Sequence, residues 1–123
     1  MVQMEIKYLD RNGIVIALLK EGYIATIQDT LDLIADVSYS GADRLIIPME
    51  RLSPDFFSLK TRFAGEMLQK CVNYGMRIAI IGDSSGFSSK SLHDFIRESN
   101  RGRHVFFKNT VEEAVSVLAA LDS

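Results

Sequence analysis

Little in this chain could staple it, steer it by charge or anchor it in a bilayer. Its 123 residues hold one cysteine, Cys71, so no disulfide can form within the chain. Spaced four and eight residues from Met67 and Phe63, Cys71 reads as a small buried hydrophobe on a helical face. Lys and Arg number 14 against 16 acidic residues, a balance that offers no global field to nucleic acid or an anionic membrane. The two histidines, His93 and His104, belong to no metal-spaced cluster and form no catalytic pair. No run approaches the roughly 20 apolar residues of a membrane span. Residues 1–10 carry Glu5 and Lys7 in place of a signal-peptide core, so a reducing cytoplasm is the expected compartment. No linker, repeat or low-complexity tract interrupts the chain.

What is present is an ordinary globular mix, 47% hydrophobic and 24% charged, in a length that suits one domain over residues 1–123. Residues 43–83 organise it. A short apolar run at 44–48 reads as a strand, Ser53-Pro54-Asp55 as a helix start, and residues 56–74 carry apolar side chains at helical spacing until Gly75. A second apolar run at 76–81 completes a strand-helix-strand unit, which implies a parallel pair and a right-handed crossover.

Before this unit, Met4, Ile6 and Tyr8 alternate with charged residues, and Asp10-Arg11-Asn12-Gly13 supplies a turn into the apolar run 14–19. That is a hairpin with an edge strand and a more buried one. Thr26 and Asp29 have capping-box spacing ahead of a helix faced by Leu31, Ile34 and Val37. After the unit, residues 82–89 form the most polar connection. A helix then begins at Ser88 or Ser89 and is faced by Leu92, Phe95 and Ile96, and a strand follows at 104–107. Thr110 and Glu113 make a second capping box, and Val111, Ala114, Val115, Leu118 and Leu121 give the last helix its stripe. The expected fold is α/β, a mixed sheet of about five strands with four helices in the order ββαβαβαβα.

This order of elements resembles the STAS-like domain of bacterial anti-sigma-factor antagonists and of sulfate-transporter tails. More narrowly, Leu52-Ser53-Pro54-Asp55-Phe56-Phe57-Ser58-Leu59-Lys60-Thr61-Arg62 and its continuation to Lys70, with Ser89-Lys90-Ser91-Leu92-His93-Asp94-Phe95 and its continuation to Asn100, resemble a small bacterial family of single-domain proteins without an assigned activity. STAS antagonists carry an Asp-Ser-Ser-Gly motif, whose serine is a phosphorylation switch, at the helix after the middle strand. The corresponding place here holds Ser58 and Thr61, so the resemblance implies phosphorylation at one of these. Asp83-Ser84-Ser85-Gly86 follows the next strand and is read as a coincidental match. Fold analogy alone carries no function.

Two connections, before Lys60 and over 82–89, leave the carboxyl ends of neighbouring parallel strands and enter helix starts, where open α/β sheets bind ligands. Lys60, Arg62 and Lys90 fall in or near first turns, where positive charge opposes the helix dipole. Such placement suits an anionic ligand, a phosphorylated side chain or an acidic partner; the alternative is that these long side chains bend away into water. The expectation is that Ser58, Lys60, Thr61, Arg62, Ser84, Ser85 and Lys90 rim one receptive surface. Gly82-Asp83-Ser84-Ser85-Gly86 fits neither the Walker pattern nor the dinucleotide fingerprint and reads as a serine-rich turn satisfying its own backbone. Asp55, Glu66, Asp94 and Glu98 are separate carboxylates, and their spacing does not bring two into one cleft. Phe56 and Phe57 point about 100° apart on a helix, so either one is exposed as an interface aromatic or the turn folds both inward. The functional expectation is a non-enzymatic regulatory or scaffolding module that binds a protein partner, with no cofactor, no metal, no nucleic acid and no membrane. The alternatives are a carrier of a small anion, such as a nucleotide or phosphate, and an enzyme. The sequence leaves the oligomeric state open.

Overall fold

In a computed structural model the chain is described from residue 4 to residue 121, so the first residues of the 1–10 stretch lie outside the described part. Two strands, β1 (Glu5–Arg11) and β2 (Ile14–Glu21), form the expected antiparallel hairpin around Asn12 and Gly13, both at positive φ. Asp10 accepts the Gly13 amide at 3.0 Å, which closes the turn. The chain continues through α1 (Ile27–Tyr39), β3 (Arg44–Pro48), α2 (Phe63–Asn73), β4 (Arg77–Ile81), α3 (Lys90–Arg101), β5 (Val105–Lys108) and α4 (Val111–Ala119). The sheet runs β1-β2-β3-β4-β5, with every pair after the hairpin parallel. The expected mixed sheet of five strands and four helices is therefore the one observed.

The apolar runs are continuous because the central strands are buried on both faces. Ala17, Leu19, Leu45, Ile47, Ile78 and Ile80 pack with α1 and α2, while Ile16, Leu18, Ile46, Ala79 and Phe106 pack with Ala114, Val115 and Leu118 of α4. The three crossover helices share one face because the strand order always advances in the same direction; α4 alone returns across the other. Among the described residues no helix is long and apolar enough to cross a membrane.

Caps fix the helix starts. Thr26 accepts the Asp29 amide, and Asp29 accepts the Thr26 amide, each at 3.0 Å, so the first capping box is complete. Ser89 caps α3 through the Leu92 amide, and Thr110 caps α4 through that of Glu113.

One expected element is different. The helix read over residues 56–74 begins only at Phe63; residues 54–57 and 59–61 are separate 3-10 turns. Thr61 makes the break. Its hydroxyl hydrogen lies toward the Asp55 and Ser58 carbonyls, 2.7 and 2.8 Å away, and its oxygen accepts the Phe63 amide at 3.2 Å. Arg62 then takes a left-handed conformation at φ 65°, which no helix interior accommodates. Over two turns, apolar spacing of three residues satisfies a 3-10 pattern as well as an α-helical one. Lys60 and Arg62 consequently precede the helix and do not sit in its first turn.

Arg44, at the start of β3, is 3% exposed and reaches the carboxyl end of α4. Its Nε donates to the Leu118 carbonyl at 2.8 Å and its Nη2 to that of Leu121 at 2.9 Å, while Nη1 pairs with Asp43 at 2.8 Å. The guanidinium thus satisfies carbonyls that the helix end leaves orphaned and complements the negative end of its dipole. No buried side-chain nitrogen or oxygen among the described residues lacks a partner.

Candidate functional site

The carboxyl edge of the sheet is where the connections diverge. The β4 exit leads to α3 on the crossover face, and the neighbouring β5 exit leads to α4 on the opposite face. Between such diverging exits an α/β sheet opens a crevice. Here it has a volume of about 600 Å³ and is lined by Lys20, Met49, Glu50, Arg51, Asp83 and Asn109 among others. Gly82 forms part of its floor at φ 148°; a Cβ there would collide with the Met49 side chain, so glycine is what lets the β3 and β4 exits approach.

A second, apolar hollow of about 380 Å³ adjoins it. Tyr23, Leu52, Pro54, Phe57 and Phe87 line this hollow, and Met49 and Glu50 belong to both spaces. Its walls are held by aromatic contacts. Phe57 stacks on Phe87 with centroids 4.9 Å apart and planes at 15°, and it meets Phe56 edge-on, also at 4.9 Å. Phe56 continues the chain of rings to Phe107 of β5 at 6.3 Å. The His93 ring contacts the Phe87 carbonyl, which fixes the loop from the α3 side. On the other flank, residues 22–25 lie extended beside residues 51–53, with Ile24 donating to the Arg51 carbonyl at 2.8 Å and Ser53 to that of Ile24 at 2.9 Å.

The two connections expected to meet do meet, through Phe57 and Phe87. Of the polar residues expected to rim them, Thr61, Ser85 and Lys90 have local partners. Ser58, Lys60, Thr61, Arg62, Ser84, Ser85 and Lys90 line neither hollow. Thr61 is committed to the turn before α2, as described above. Lys90 donates to Asp94 at 2.9 Å one helical turn on, and this hydrogen bond, with the charges of Lys90 and Arg97, holds the Asp94 carboxyl below the usual carboxylate range. The Ser85 hydroxyl and amide both serve Asp83, the amide at 2.9 Å, and these bonds lower the Asp83 pKa. The serine-rich loop thus satisfies itself and keeps a carboxylate at the crevice. Phe56 is fully buried and Phe57 half-buried, so the turn folds both rings inward and Phe56 offers no surface to a partner. Tyr23 reaches the hollow at 40% exposure, whereas Tyr74 caps the far end of α2.

Cys71 is buried as expected, and burial pushes its thiol up to about 12, so it stays protonated and unreactive. Among the described residues no group of three or more His, Cys, Asp or Glu side chains converges as metal ligands would. The crevice carboxylates are Glu50 and Asp83, neither a residue of the Asp55, Glu66, Asp94 and Glu98 set. Glu50 lies in a one-turn 3-10 helix directly after β3, and only the position of a strand's carboxyl end could have singled it out.

Residues 10–118 match the model of a family described as a domain of unknown function, DUF4180. The chain belongs to that family. The DUF4180 match spans every residue of the two hollows, from Leu18 to Val111. No curated protein matches the chain.

Proposed function

We propose that the chain is a non-enzymatic binding module, a STAS-like regulatory or scaffolding domain of the bacterial cytoplasm, and that it receives a protein partner on its carboxyl edge. The observation that carries this reading is the Phe57–Phe87 stack, which joins two separate connections into one apolar wall beside a polar crevice. An aromatic wall with a polar rim is the composition of a protein-binding surface.

The small-anion alternative has less behind it. Lys20 and Arg51 at the crevice are opposed by Glu50 and Asp83, and Arg51 is drawn toward Glu21 at 3.8 Å. The first turn of α4, which opens beside Asn109, carries Glu112 and Glu113, and these occupy the end of the helix dipole that an anion would use. Mixed charge of this kind suits a partner that brings charges of both signs.

A phosphorylation switch at Ser58 or Thr61 fits the same reading. A phosphoryl group on Thr61 would replace the hydroxyl hydrogen that links Asp55 and Ser58 and would set a charge beside the Phe63 amide, so the turn leading to Phe57 would rearrange. The test is affinity capture from the source organism with the native chain and with Phe87→Ala. The reading expects a protein held by the first and lost by the second; equal recovery on both would overturn it. Mass spectrometry of the recovered chain before and after kinase treatment reports on Ser58 and Thr61, and modification at neither would remove the switch.

A further inference from the structure

Building on the proposed partner-binding edge, we infer the chemistry of the segment it accepts: a large apolar side chain next to an arginine. The apolar hollow carries Tyr23, Met49, Leu52, Phe57 and Phe87 and only one charged residue, Glu50. Glu50 also lines the polar crevice, so it stands at the junction of the two spaces. It is exposed and makes no ion pair among the described residues, whereas the neighbouring Arg51 already leans on Glu21 and on the Gly22 carbonyl. Across the crevice the second carboxylate, Asp83, is held ionised by Ser85. Lys20 and Arg51 also line the crevice, but among the described residues Glu50 is the charged side chain that lines both the crevice and the apolar hollow.

Arginine matches that junction better than lysine. Its guanidinium is planar, forms two parallel bonds to a carboxylate and stacks on aromatic faces, while its methylene stem covers apolar surface. The neighbouring apolar residue enters between Tyr23 and the Phe57–Phe87 wall, where the hollow's volume of about 380 Å³ leaves room for a ring. Tyr23, 40% exposed, presents its ring at the mouth of this space. A glutamate in place of the arginine meets Glu50 at the junction as a like charge.

The test is an amide-resolved NMR titration of the isotope-labelled chain with acetyl-Gly-Phe-Arg-Gly-amide and two counterparts, one with citrulline for arginine and one with alanine for phenylalanine. The arginine peptide is expected to shift the amides of Tyr23, Glu50, Leu52, Phe57 and Phe87. Citrulline, which removes the charge and keeps the shape, is expected to weaken binding about five- to tenfold, and alanine about tenfold. Glu50→Gln in the protein is expected to erase the arginine-citrulline difference and keep the phenylalanine-alanine difference. Equal binding of the arginine and citrulline peptides, shifts confined to another surface, or no shifts at millimolar peptide would each overturn the inference. Those results leave the partner-binding reading standing if the Phe87→Ala capture experiment succeeds; failure of that capture removes the reading itself.

Discussion

The two edges of the sheet are built to different rules. At the amino edge the chain reverses through Asn12-Gly13, residues 40–43, residues 74–76 and residues 102–104, and these short turns bond directly to the element ends they join. Gly41 donates to Ser38, Met76 to Cys71, and Arg77 to Asp43. Arg44 ties the same edge to the end of α4. At the carboxyl edge, residues 22–26, 49–62 and 82–89 are longer and are held by side chains in addition to their backbone bonds: Thr61 on two carbonyls, Asp83 on Ser85, Phe57 on Phe87 and His93 on Phe87. Tight turns leave no space between elements, whereas connections propped on rings and carboxylates enclose hollows. Short turns close the amino edge, and the longer connections of the carboxyl edge carry the residues proposed to bind a partner, the usual place for binding residues on a rigid sheet.

Four substitutions or conditions would break or sharpen this contrast. The largest effect belongs to Arg44→Ala, which strands buried carbonyls of α4 and is expected to cost about 3 kcal/mol in urea denaturation. A loss below about 1 kcal/mol would show that the amino edge does not depend on this clamp. Gly82→Ala tests whether the carboxyl edge has its own rigid point. The new Cβ meets Met49 at a backbone angle that disfavours side chains, with an expected cost of about 2 kcal/mol and a crevice changed in shape, readable by denaturation and by NMR shifts at Met49.

Cys71 gives a pH signature of the packed side. Its thiol has a folded pKa raised from 9.0 to about 12 by burial. The folded chain therefore keeps its proton above pH 9 while the unfolded chain loses it. Stability contributed by this group is fully present below pH 9 and declines as pH rises toward 12, by about 1.4 kcal/mol at pH 10. Denaturation at pH 8 and pH 10 is expected to show this extra loss in the native chain and not in Cys71→Ala. The smallest change is Thr61→Ala, which removes the hydroxyl that joins the Asp55 and Ser58 carbonyls to the Phe63 amide ahead of α2 and is expected to cost about 1 kcal/mol in urea denaturation, with most of it recovered in Thr61→Ser.

The periodic parts of this architecture were readable in the sequence. The runs at 14–19, 44–48 and 76–81 read as buried strands and Asn12-Gly13 as a tight turn, and Thr26 with Asp29 marked a helix start whose two reciprocal bonds the structure shows. The arrangement at the carboxyl edge was readable only in outline. Strand ends located it, but the residues that line it were hidden because nothing periodic distinguishes Glu50, Arg51 or Asn109 from any exposed polar residue. Phe87 lay in a segment whose polarity drew attention to its serines, and those serines bond within their own loop. Arg44 was invisible for the opposite reason: a charged residue opening an apolar run looks solvated, and only the fold brings the end of α4, over 70 residues later, to its guanidinium. Phe56 and Phe63 fit a helix from 56 onward until the Thr61 hydroxyl, a local bond with no periodic signature, divided it.

Hydrogen-deuterium exchange on the chain with and without its captured partner tests the division between edges most directly. The account predicts slowed exchange at residues 49–62 and 82–89, with residues 39–43 and 72–76 unchanged. Protection confined to the amino-edge turns, with the carboxyl-edge connections exchanging as in the free chain, would contradict it.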